Sequence, residues 1–104
     1  MNEDKLRSQA AMVFLRAAAY IRNYGWQVSG MSRDGQPRCS MGALASAHQK
    51  LRWDKGMSDL MHKTLYKELN GLSLTQFNYR YKNGEKVARL YEQVAQRLLS
   101  RELI

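Results

Sequence analysis

The chain has one cysteine, one proline and two histidines in 104 residues, and each scarcity removes a class of protein. A lone Cys39 closes no intramolecular disulfide and leaves no cysteine cluster for a metal. His48 and His62 stand fourteen residues apart with no grouped thiols or carboxylates beside either, short of the ligand count that zinc needs. The seven glycines are scattered, so no spaced glycine loop cradles a phosphate ahead of a helix. No apolar run approaches the roughly 20 residues of a membrane span. Met1 to Lys5 starts acidic and runs into an amphipathic pattern broken by Arg7 and Arg16, unlike a secretory leader. We therefore expect a soluble, cytoplasmic protein without a cofactor or a membrane partner.

Acidic residues are scarce too. Nine Asp and Glu face 17 Lys and Arg, a formal charge of +8. An excess of this sign favours polyanions through counterion release and long-range steering. It also serves the plainer purpose of keeping a small protein apart from its own copies. With 44% hydrophobic and 25% charged residues the composition is that of a folded globule. Residues 1–104 suffice for one domain with a single modest core, not for two.

Hydrophobic periodicity predicts a mainly α protein, a compact bundle of four to five helices. The first runs from about Asn2 to Tyr24, with Leu6, Ala10, Val13, Phe14, Ala17, Tyr20, Ile21 and Tyr24 on its buried stripe, and Gly25 closes it. Between Trp26 and Arg38, where Asp34-Gly35 suits a turn and the single Pro37 favours extended backbone, either a short two-stranded hairpin or an ordered loop fits. A second helix starts near Ser40 and carries Met41, Leu44, Ala47, His48 and Leu51. A third starts at Gly56 or Ser58 and carries Met57, Leu60, Met61, Thr64, Leu65 and Leu69. Ser73 with Gln76 forms a capping-box pattern for a short segment over 74–82, and Asn83 caps the last helix. That helix has two stripes. Val87, Leu90, Tyr91, Val94 and Leu98 face a core, while Lys86, Arg89, Gln93, Arg97 and Ser100 cannot reach it.

The basic and aromatic residues carry most of the functional signal. Asn78-Tyr79-Arg80-Tyr81-Lys82-Asn83 interleaves two phenol rings with two cations and two amides. Cations neutralise phosphates, amides and arginine read base edges, and rings stack on unpaired bases. Lys50 to Lys55, with Arg52 and Trp53 inside it, has the same character. The bland alternative is that these rings half-bury at the rim of a small core under lysine and arginine stems, and Glu85 stands four residues before Arg89, where it can absorb part of the charge. Met61 to Leu69, Asn70-Gly71-Leu72 and Ser73 to Lys82 also read as helix, turn, helix. Lys67, however, sits where such a motif brings a small residue against its partner, and Arg80 where it needs an apolar one.

Cys39 precedes an expected helix start, where the dipole and free N–H groups favour a thiolate. A Cys/His enzyme is thus one alternative. His48 lies about 13 Å along the same helix and cannot pair with it, which leaves His62. The plainer role for Cys39 is a small hydrophobe beside Gly42.

Three stretches taken in order carry a resemblance. They are Leu15 to Trp26 with its closing Gly25-Trp26, Cys39-Ser40-Met41-Gly42-Ala43-Leu44, and Phe77-Asn78 ahead of Gly84-Glu85-Lys86-Val87. In these the chain resembles a family of small uncharacterised proteins from actinobacteria and their phages. The resemblance implies a single helical domain held together by Trp26, Cys39 and Phe77, and an origin in a phage or mobile element. Small basic proteins of that origin often bind a host enzyme or nucleoprotein complex, defence systems included. The family's Asp after the aromatic-Asn pair is Tyr79 here, so no site built on that acid carries over.

These readings converge on a non-enzymatic binding protein acting on nucleic acid or on a nucleoprotein complex, and a host-defence inhibitor is one form this takes. The surface we expect consists of Arg80, Lys82, Lys86, Arg89 and Arg97 with Tyr79 and Tyr81, joined by Arg52, Lys55, Lys63 and Lys67. Two alternatives stand beside it: a thiol-dependent enzyme using Cys39, and a homodimeric structural or interaction module.

Overall fold

A computed structural model describes residues 3–26 and 55–100, with the side chain of Lys55 left out. These residues form four helices, α1 (Glu3–Tyr24), α2 (Lys55–Leu69), α3 (Leu74–Tyr81) and α4 (Gly84–Ser100), and no strand. The expected helix over 40–51, the stretch offered as a hairpin or loop, Cys39 and Arg52 lie outside the described residues. The described part is mainly α, as the periodicity predicts. No helix in it is long and apolar enough to cross a membrane.

The three long helices share one core, with α1 lying most extensively along α4 and α2 packed against both. Ala10, Ala11, Ala17 and Ala18 of α1 and Ala88 and Ala95 of α4 are all buried, and such small side chains let two helix axes approach closely. Phe14 and Tyr91 fill the space between them, both fully buried, with ring centroids 5.4 Å apart and planes tilted by 58°. Burial of each large side chain contributes roughly 1.5–3 kcal/mol. Met57 and Thr64 bring α2 into the same core. The buried Thr64 hydroxyl is satisfied locally, donating to the Leu60 carbonyl at 2.7 Å.

Two expectations about α1 are corrected. Tyr24, assigned to the buried stripe, is 62% exposed, because the helix ends there; its ring lies 5.1 Å from that of Tyr20. Arg7, read as a break in the apolar pattern, is buried instead, at 7% exposure. Its Nε donates to the Leu98 carbonyl at 2.8 Å and a terminal nitrogen donates to the Arg97 carbonyl at 3.0 Å. The last carbonyls of a helix have no partner within it and carry its negative end. A guanidinium on α1 meets both needs of α4, which is why a charge is tolerated there.

The helix ends follow the expected chemistry. Gly25 takes φ +89° and donates to the Ile21 carbonyl at 2.9 Å, closing α1. The Ser73 hydroxyl accepts from the Gln76 N–H at 3.0 Å while the Gln76 side chain accepts from the Ser73 N–H at 2.8 Å. The Asn83 side chain accepts from the N–H groups of Glu85 and Lys86, at 2.9 and 3.2 Å. Trp26 folds back over this cap. A methyl group at Gly84 would sit 2.8 Å from the Trp26 Cβ, so the first residue of α4 must be glycine for the tryptophan to lie there.

Candidate functional site

α3 and α4 meet at a corner made by two residues. Lys82 closes α3 in the left-handed conformation, φ 46°, with its N–H donating to the Asn78 carbonyl at 2.9 Å, and Asn83 opens α4. Leu74 and Asn78 are buried and Phe77 packs against the core, so Tyr79, Arg80, Tyr81 and Lys82 are turned outward and all four are exposed.

Tyr81 organises the corner. Its ring lies 4.7 Å from that of Phe77. The ammonium of Lys86 stands over it at 4.7 Å and the guanidinium carbon of Arg80 at 5.9 Å, both within cation–π range. The ring therefore spends much of its surface holding two cations in place. Among the described residues no carboxylate pairs with Arg80, Lys82 or Lys86. Tyr79, half-exposed at 50%, is the more open of the two phenols.

The rest of the exposed α4 stripe differs in character. Arg89, Gln93, Arg97 and Ser100 line an open groove of about 470 Å³ between α4 and α2, together with Gln96, Glu92 and Glu68. Arg97 donates through Nε to Glu68 of α2, and Arg89 lies 3.6 Å from Glu85. The lining holds two arginines and two glutamates, so its formal charge is balanced.

Of the group expected to join from the α2 side, Lys63 and Lys67 lie on another flank. Lys63 lines a separate groove with Glu3, Leu6, Asp59 and Leu60, where the starts of α1 and α2 meet. It lies about 140° round the helix from Glu68. Lys67 is exposed one turn further along the flank of Lys63. Lys55 begins α2, and Arg52 is outside the described residues. His62 is exposed on α2, and no cluster of three His, Cys, Asp or Glu that could hold a metal occurs among the described residues. The helix-turn-helix reading is not supported by packing: α3 makes only slight contact with any other helix, whereas that motif needs its two helices locked together.

Beside the corner is an ion-pair clamp that the sequence did not reveal. Arg22, in the last turn of α1, bonds Glu85 at 2.7 Å and Glu92 at 2.6 Å. Hydrogen bonding to Arg22 holds both carboxyls below their ordinary value, and the two glutamates raise Arg22 in turn. All three groups are well exposed, so solvent screens the attraction. The consequence is chiefly positional: Glu85 is held by Arg22 of α1 rather than by a cation of the corner. Glu68 and Gln96 were also missed, and Asn78, read as one of the contact amides, is buried. Glu68 is 29 residues from its partner Arg97, and no local spacing rule links them.

The profile of a family of unknown function (DUF6197) matches residues 6–97. No curated protein and no solved structure matches the chain.

Proposed function

We propose, for a chain that belongs to the family of unknown function DUF6197, that it binds nucleic acid, free or within a nucleoprotein complex, through the α3–α4 corner. The observation that carries this reading is the trio Arg80, Lys82 and Lys86 at one helix junction: all exposed, Arg80 and Lys86 over the same Tyr81 ring, and none paired with a carboxylate among the described residues. Cations left in that state by a fold that pairs Arg22, Arg89 and Arg97 elsewhere are suited to phosphate oxygens, which release counterions on contact. The ring of Tyr81 adds order, since a cation held over an aromatic face loses less freedom on binding than one on a free stem. The bound class is a phosphate-bearing polymer, and no chemical step on it is implied.

The test is site-directed. Lys86→Glu reverses a charge at the corner, and Lys63→Glu makes the same change on the far flank of α2. Binding to a labelled duplex and to a single strand is expected to weaken at least tenfold for the first and to stay within about twofold for the second, a net-charge control. Equal losses for both would mean that bulk charge, not this corner, binds the polymer.

A further inference from the structure

The cationic corner and the balanced groove lie on one stripe of α4 but offer different chemistry. At the corner are bare positive charges. From Lys86 to Arg97 is eleven residues, about 16 Å along the axis and back on the same face. There the groove presents two guanidiniums, Arg89 and Arg97, and two side-chain amides, Gln93 and Gln96, with Glu68 and Glu92 among them. Carboxylates repel phosphates, so this second stretch is poorly made for a nucleic-acid backbone. Guanidinium and amide groups in a locally neutral setting match the donor and acceptor pattern of base edges. Protein–DNA contacts divide in the same way, with phosphates fixing position and bases fixing sequence.

Arg97 is the best placed of these groups. Its Nε is engaged by Glu68, whose side chain is only 14% exposed, while Arg97 itself is 44% exposed. Its two terminal nitrogens bond no described residue. Its backbone carbonyl is held from behind by Arg7 at 3.0 Å. A guanidinium fixed through Nε keeps the fork of its terminal nitrogens directed outward, and that fork matches the O6 and N7 acceptors of guanine. Of the two phenols at the corner, Tyr81 already has its ring engaged by Phe77, Lys86 and Arg80, which leaves it little face for an unpaired base.

Resting on the reading in the preceding subsection, we propose that α4 enters the major groove of duplex DNA, with Arg97 reading a guanine edge, Glu68 positioning Arg97, and Gln93 or Gln96 contacting a neighbouring pair. The roughly 12 Å width of that groove admits one helix, and the corner then rests on the flanking phosphates.

The experiment is enrichment of a randomised duplex pool on the full chain, followed by affinity for the enriched sequence and for bulk DNA. The wild type is expected to enrich a short motif containing a fixed guanine. Arg97→Lys, which keeps the charge and loses the fork, and Arg97→Ala should each cut discrimination at that guanine by about 5- to 150-fold, the range for a bidentate contact. Glu68→Gln should lower the same discrimination without lowering bulk-DNA affinity, whereas a merely structural Glu68 would lower both together. Lys86→Glu should weaken all sequences alike and leave the motif intact. Salt-sensitive binding with no enriched motif would overturn base reading and leave the corner standing. A motif unchanged in both Arg97 variants would overturn the role of Arg97, and absence of binding at low salt would remove both proposals.

Discussion

Arg7 offers the sharpest check on how the fold is assembled, because one side chain closes the end of another helix. In Arg7→Met the aliphatic stem stays to fill the buried space, while the bonds to the Leu98 and Arg97 carbonyls are lost. A hydrogen bond involving a charged group contributes about 1.5–3 kcal/mol, and a cation at a helix C-terminus adds about 0.3–1 kcal/mol. The two bonds share one guanidinium and are not additive, so the expected cost is about 2–3 kcal/mol. For a domain of about 100 residues this lowers the thermal midpoint by roughly 10–20 °C. Urea and thermal unfolding followed by circular dichroism would measure it, with Arg7→Lys, which keeps one cationic donor, expected to fall between the two. A loss below about 0.5 kcal/mol for Arg7→Met, the size of an ordinary surface change, would refute the reasoning.

Three further outcomes follow from the geometry. Gly84→Ala should destabilise the chain by about 1 kcal/mol, since overpacking against Trp26 costs about 1–3 kcal/mol and alanine returns up to about 1 kcal/mol of helix propensity; a rise in the urea midpoint would show that Trp26 does not lie where described. Because Glu85 and Glu92 release their protons more readily in the folded chain, the Arg22 clamp contributes fully above the ordinary glutamate value of about 4.3, and the contribution fades as pH falls through and below it. Urea midpoints from about pH 6 to about pH 3 should therefore show a shallower acid loss in Arg22→Gln than in wild type, and parallel curves would dismiss the clamp. Tyr81→Phe should bind nucleic acid like wild type while Tyr81→Ala weakens binding about two- to fivefold, the value of an exposed cation–π contact; equal losses would assign the effect to the hydroxyl.

The elements with strong local grammar were legible in the residues themselves. The stripe of Val87, Leu90, Tyr91, Val94 and Leu98 is buried and that of Lys86, Arg89, Gln93, Arg97 and Ser100 exposed, because a period of 3.6 residues leaves α4 no other way to hide its apolar side. The Ser73–Gln76 box and the Asn83 cap were legible for the same reason, since each is complete within a few residues. What could not be read were long-range pairings. Arg7 with the end of α4, Arg22 with Glu85 and Glu92, and Arg97 with Glu68 all join residues from different helices, and their spacing along the chain carries no trace of it. The expected cationic surface is consequently divided by the fold. Arg80, Lys82 and Lys86 stay unpaired with any described carboxylate, Arg89 and Arg97 acquire acidic neighbours, and Lys63 goes to another flank.

The central claim is that the α3–α4 corner binds phosphates, and the salt dependence of DNA affinity tests it most directly. Three phosphate contacts, one each from Arg80, Lys82 and Lys86, predict that log K falls against log salt with a slope of about −2.7 on a duplex. Lys86→Glu should bring that slope to about −1.8 or shallower. A wild-type slope near zero, or one that the substitution leaves unchanged, would contradict the account.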